Sequence, residues 1–245
     1  MAMTFLTGVS RYAAATATAL ALAACGGGGS DTPVQAVPAP TTFPLASAMA
    51  SYARDTRTVP FTLTGTGTSG GQTIAFTGSG SVSSSIAAGT FEGVAAQVKT
   101  VMTNGTVTAQ GTSSAVADTA VAFYDANYQT LGTSTASSYC VSSGSASFPA
   151  SAKVGDTGTW YTATCYTNST KSVRISTNTL SYVIEPLTAT SVILRVTLKS
   201  TPQTGVASTQ DLTYTITTAG AVSPRETPFV ITSGGFTFSL VFKFL

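Results

Sequence analysis

No histidine occurs anywhere in the 245 residues. A serine or cysteine nucleophile ordinarily needs an imidazole base. The Ser-His-Asp and Cys-His classes are therefore excluded for a single chain, as are His-ligated zinc and haem sites. A Ser-x-x-Lys dyad is missing too, because none of the five lysines has serine three residues before it. Charge is scarce: Asp, Glu, Lys and Arg make up 8% of the chain, against about a quarter in typical domains. Surface polarity must then come from Thr, Ser, Asn and Gln. Eleven basic and nine acidic side chains nearly cancel, and no basic cluster supplies the footprint of a nucleic-acid binder.

Carboxylate chemistry survives this pruning, since glycosidases work with two acidic side chains. The candidates are Asp31, Glu92, Asp118, Asp125, Asp156, Glu185, Asp211 and Glu226. Asp125 and Asp156 lie beside turn sequences, where Asp bonds its own backbone. Glu185 precedes Pro186 at a strand end. No two acids sit in a motif that predicts convergence, so a carboxylate-dependent glycan hydrolase ranks last among the readings. No cofactor or metal site is expected.

Two glycine-rich matches also fail on context. Gly65-Thr66-Gly67-Thr68-Ser69-Gly70 fits the dinucleotide fingerprint, which works by joining a strand to a helix N-terminus. Here Gly71 and the strand-like Gln72-Thr73-Ile74-Ala75-Phe76 follow, so a hairpin turn is expected. Gly67-Thr68-Ser69-Gly70-Gly71 fits a nucleophile elbow, but the base is missing.

The amino-terminal end has the order of a secretory signal. Arg11 is the only charged side chain before Cys25, and Tyr12 to Ala24 is an uncharged Ala- and Leu-rich stretch of 13 residues. A membrane-spanning helix needs about 20. Gly26 to Gly29 and Ser30 then give a flexible composition, stiffened by Pro33, Pro38 and Pro40. The expected organisation is a signal peptide over 1–24, a tether over 25–41 and a β domain over 42–245.

Leu22-Ala23-Ala24-Cys25 resembles, residue by residue, the lipobox of bacterial lipoproteins. That resemblance implies acylation of the Cys25 thiol, cleavage before it and attachment to a membrane. Several acyl chains make a stable anchor, each buried methylene contributing roughly 0.8 kcal/mol. Gly26, rather than Asp, as second residue implies the outer membrane. As a whole the chain resembles Gram-negative lipoproteins that begin Cys-Gly-Gly-Gly-Gly and continue as a Thr- and Ser-rich β domain. This resemblance bears on location and fold and implies no activity.

With Cys25 reserved for lipid, Cys140 and Cys165 are expected to pair in a compartment that permits disulfides. The loop between them holds 24 residues, worth roughly 3 kcal/mol in the chain-entropy model.

Leu45, Met49 and Tyr52 have helical spacing behind Pro44, which predicts a short helix over 44–54. Nearly everything after it alternates with period two and is rich in Thr, Val, Ile, Tyr and Phe. Val192, Leu194, Val196 and Leu198 oppose Ile193, Arg195, Thr197 and Lys199; Leu212, Tyr214 and Ile216 oppose threonines. One apolar and one polar face per strand is the mark of an antiparallel sheet wetted on one side. Short turns favour neighbours, so the fold is expected to be mainly β: an antiparallel meander curling into a barrel, half-barrel or sandwich. The helix should cover one opening or face. Gly111 to Ser114 could mark a subdomain boundary, though no composition shift requires one.

The run Phe236 to Leu245 resembles the terminal strand of outer-membrane barrels, displaced by one residue because the chain ends Phe244-Leu245. Closing the last strand of a soluble sheet is the preferred reading.

Strand periodicity puts Trp160 and Tyr166 on one face and Tyr161 with Cys165 on the other. Trp160 is expected to pack in the core near the disulfide. Were it exposed with Tyr166, the pair would suit contact with a sugar or partner. The functional expectation is a non-enzymatic, membrane-anchored envelope lipoprotein acting as a binding or structural module, with an envelope protein, glycan or lipid as partner. The alternative is a carrier enclosing an apolar, lipid-like ligand between a curved sheet and the helix. An enlarged apolar cavity beneath 44–54 would favour the carrier.

Overall fold

The computed structural model describes residues 41–245 apart from 70, 71, 145, 206, 226, 234 and 235. The signal segment, Cys25 and nearly all of the tether lie outside the described residues, as do Gly70, Gly71, Gly234 and Gly235. Among the described residues one helix, α1 (Leu45–Arg54), precedes thirteen strands. They are β1 (Val59–Ser69), β2 (Gln72–Phe91), β3 (Val94–Ala109), β4 (Thr112–Tyr124), β5 (Thr130–Thr135), β6 (Ser138–Ser143) and β7 (Thr157–Tyr166). There follow β8 (Arg174–Thr188), β9 (Ser191–Pro202), β10 (Ser208–Thr217), β11 (Val222–Pro224), β12 (Thr227–Ser233) and β13 (Phe236–Phe244).

From β1 to β11 each strand pairs antiparallel with the next, and β13 pairs with β1 on one side and β12 on the other. The two sheet ends are thus β11 and β12, which follow each other in the chain. The Arg225 amide donates to the carbonyl of Thr213 at 2.9 Å, extending the β10–β11 ladder, and β12 lies against β10. Taken as one broken strand, β11 and β12 make this a nearly closed barrel of twelve staves. The expected mainly β meander with one short helix is what forms, and of the shapes left open it takes the barrel. Near closure covers most of the edge that an open sheet would offer to other chains. Gly111, weighed as a boundary, sits in the tight turn from β3 to β4.

Alternation decides which face is inside. Val192, Leu194 and Val196 on β9 are fully buried, and Leu180 and Ile184 on β8 and Ile216 on β10 join them in one cluster. Arg195 lies on the opposite face, where it grips Glu185 through both carboxylate oxygens at 2.8 and 3.0 Å and Asp211 at 3.3 Å. On β2, Phe76, Gly78 and Gly80 take inward positions while Ala75, Thr77 and Ser79 are exposed. That outer row is not the apolar, lipid-facing band of a membrane barrel. Inside, a Cβ on Gly80 would stand 2.8 Å from Phe61 Cζ, so the missing side chain makes room for the ring.

The helix crosses the barrel rather than lying on its outside. Its start is at the β10–β11 turn, where Pro44 stands over Gly220. Its end reaches the opposite wall: Ser84 Oγ on β2 donates to the Asp55 carbonyl at 3.0 Å, and Lys99 Nζ on β3 donates to the Tyr52 carbonyl at 3.2 Å. Leu45, Ala48 and Met49 face the β8–β10 cluster. The connection from β6 to β7 folds in beside it. Phe43 and Ala152 exchange two backbone hydrogen bonds, and the Pro149 carbonyl takes the Ala46 amide at 3.1 Å, satisfying one of the orphan donors of a helix start.

Candidate functional site

A cavity of about 170 Å³ lies between α1 and the inner face of the barrel. Met49, Ala50 and Ala53 of the helix form one side. Lys99 on β3, Tyr124 at the end of β4, Trp160 on β7 and Tyr214 on β10 form the other. The 125–129 loop and Phe148 from the β6–β7 connection rim it.

Each wall residue has a local reason for its place. The register of β7 against β8 slips between Thr159 and Tyr161. A bulge of this kind re-aims a side chain. Trp160 and Tyr161 both reach the interior as a result, Trp160 stacking on Phe148 with centroids 4.4 Å apart and meeting Tyr161 edge-on at 4.9 Å. The period-two expectation that Trp160 and Tyr161 lie on opposite faces is corrected by this bulge. Tyr161 does pack with Cys140, Ala163 and Cys165, as the alternation predicts. Tyr166 is half-buried, stands opposite Tyr139 and does not line the cavity. Trp160 and Tyr166, considered together as a contact pair, are therefore separated.

The rim loop is held by one carboxylate. Asp125 Oδ1 accepts from the amides of Asn127 and Gln129, both at 2.8 Å. This Asx-type closure sets Tyr128 in the left-handed region at φ +61°. The Arg54 guanidinium sits 4.4 Å from the centre of the Tyr128 ring, a cation–π contact that ties the helix end to the loop.

Lys99 is the charged group of the cavity. It is 8% exposed, hydrogen-bonds the Tyr52 carbonyl and lies 5.5 Å from the Tyr52 ring centre. A cation at a helix C-terminus is favourable. Burial pushes its pKa below the ordinary lysine value, and Asp55 partly offsets the shift. Burial also raises the phenol pKa values: Tyr124 to about 12, and Tyr214 further. At physiological pH the cavity is thus lined by protonated phenols and a lysine, with no carboxylate in its wall.

The acidic residues are engaged elsewhere. Glu185 and Asp211 converge on Arg195 outside the barrel, and Glu92 pairs with Lys171 and accepts from Tyr139 at 2.8 Å. Asp156 takes the Lys153 amide in a turn. Among the described residues no group of three or more Cys, Asp and Glu gathers to hold a metal ion. Cys140 and Cys165 stand opposite each other in the β6–β7 ladder and form a disulfide. Sequence reasoning missed Lys99, Tyr124 and Tyr128, because strand alternation gave no sign that seven segments meet there.

The chain matches no family model, no curated protein and no solved structure.

Proposed function

We propose that this chain is an envelope lipoprotein, acylated at Cys25 and held at the outer membrane, whose barrel serves as a binding module without catalysing a reaction. The observation that carries the binding part is the aromatic cavity between α1 and the barrel wall, with its single buried ammonium. Its size favours a module over a lipid carrier. Pockets for drug-sized ligands run to about 300–1,000 Å³, whereas this one is about 170 Å³ and the space under α1 is filled by the β8–β10 cluster. An acyl chain has no room there; a small ligand does.

Two measurements test the reading. Radiolabelled palmitate should enter the wild-type protein and be lost in Cys25→Ala; label persisting in the variant refutes the anchor. Native mass spectrometry of the protein purified from an envelope fraction should show no co-purifying long-chain lipid beyond the covalent anchor. A stoichiometric lipid mass would replace the module with the carrier.

A further inference from the structure

We propose that the cavity binds a single-ring organic anion, its ring held among Trp160, Phe148 and Tyr214 and its carboxylate on Lys99. The inference rests on the binding-module reading and names the ligand class of that same site.

Size sets the first limit. An engineered cavity of about 150 Å³ holds one benzene, so about 170 Å³ accepts one six-membered ring with a small substituent. The walls set the second: Trp160 and Phe148 are stacked on each other, and that pair together with Tyr214 gives the cavity an aromatic lining against which the edge or outer face of a ring packs. Charge sets the third. Lysine carries three donors, and the hydrogen bond that Lys99 makes goes to a neutral carbonyl. Among the described residues no carboxylate forms an ion pair with it. Asp55 acts on Lys99 from outside the cavity wall without pairing with it, so a buried cation with spare donors is completed by an anion inside the cavity. Arg54, stacked on Tyr128 at the rim, adds a second positive charge on the approach. An aromatic acid and a sugar acid share this chemistry, and the tyrosine hydroxyls with Asn127 and Gln129 give a sugar partners as well.

Trp160 is the chain's only tryptophan, so its fluorescence reports the cavity directly. The purified mature protein is titrated with benzoate, glucuronate and their neutral counterparts benzyl alcohol and glucose. At least one carboxylate should give a saturable change at a concentration about tenfold or more below its neutral counterpart, equivalent to about 1.4 kcal/mol. Which one does so distinguishes the aromatic acid from the sugar acid. Lys99→Met should abolish that preference and Lys99→Arg should retain most of it, with far-ultraviolet circular dichroism confirming the fold; if the Met variant unfolds, the wild-type and Arg titrations decide. Equal binding of acid and neutral ring overturns the anion inference while leaving a binding cavity. No saturable response from any probe up to roughly 10 mM overturns the inference and the binding reading together.

Discussion

The ring of Phe91 lies where a side chain on Gly132 would have to stand. A Cβ at that position would collide with Phe91 Cζ and with the carbonyl oxygen of Cys140. Phe91 closes β2, stacks on Phe123 with centroids 4.4 Å apart and leans on Tyr139 at 5.4 Å. The tip of the β2–β3 hairpin is thereby clamped over β5, and the Glu92–Lys171 ion pair next to it ties the tip to the β7–β8 turn. Gly132→Ala should cost about 1–3 kcal/mol through overpacking. Phe91→Ala should cost less in the Gly132→Ala background than in the wild type. Urea denaturation of the four proteins measures the coupling; additivity within about 0.5 kcal/mol would contradict the contact.

The Cys140–Cys165 bridge joins residues 25 apart in sequence and already opposed in the β6–β7 ladder. Its main effect is then on the unfolded chain, where it closes a loop worth roughly 3 kcal/mol. In a domain of this size about 1 kcal/mol moves the melting temperature by about 2–4 °C. The doubly substituted Cys140→Ala, Cys165→Ala protein should therefore melt roughly 6–12 °C lower. An unchanged melting temperature in calorimetry would show that the bridge restrains nothing.

Alternation made much of the barrel legible. Val192 to Leu198 and Leu212 to Ile216 fix their own faces, and Leu45, Met49 and Tyr52 announce the helix that forms over Leu45–Arg54. Signals failed where backbone geometry departs from the period. Trp160, expected in the core, and Tyr161 both face inward because β7 bulges there, and no residue type marks that slip. The length of β2 was equally hidden, since its Ser79 to Ser85 stretch has little strand propensity and is held by pairing with β3. The cavity was hidden for a different reason. Lys99, Tyr124, Tyr128, Trp160 and Tyr214 come together only because the meander closes around α1, and closure depends on contacts between β10 and β12 that are remote in sequence from all of them but Tyr214. Cys25 and its lipobox belong to the opposite case, legible in sequence and outside the described residues.

Asp125 shapes the cavity rim by accepting two backbone amides with one oxygen. Hydrogen bonds to a charged acceptor contribute about 1.5–3 kcal/mol each when intact, less the part that water replaces at this half-exposed site. Asp125→Ala should lose about 1–2 kcal/mol in urea denaturation, and amide exchange at Asn127 and Gln129 should accelerate. Asp125→Asn keeps an acceptor oxygen and should lose less than half as much. Exchange at these two amides unchanged in Asp125→Ala would contradict the role.

Alkali should unfold the protein through its buried phenols. Burial raises the pKa of Tyr124 to about 12 and pushes Tyr161 and Tyr214 further up. Between the ordinary phenol value near 10 and those folded values, the native state keeps protons that the unfolded chain has released. Stability from these groups is complete below pH 10 and falls as pH rises. Lys99 works in the opposite sense, because burial lowers its pKa; there the unfolded chain holds the extra proton, and stability rises as pH approaches the ordinary lysine value. Three phenols with raised values outweigh one ammonium, so stability should begin to drop near pH 10 and continue falling. Phenolate absorbance followed alongside circular dichroism separates the groups. Tyr124, Tyr161 and Tyr214 should ionise only as the strand signal disappears. Complete phenolate titration near pH 10 with the strand signal intact would mean that Tyr124, Tyr161 and Tyr214 are not buried where the barrel puts them.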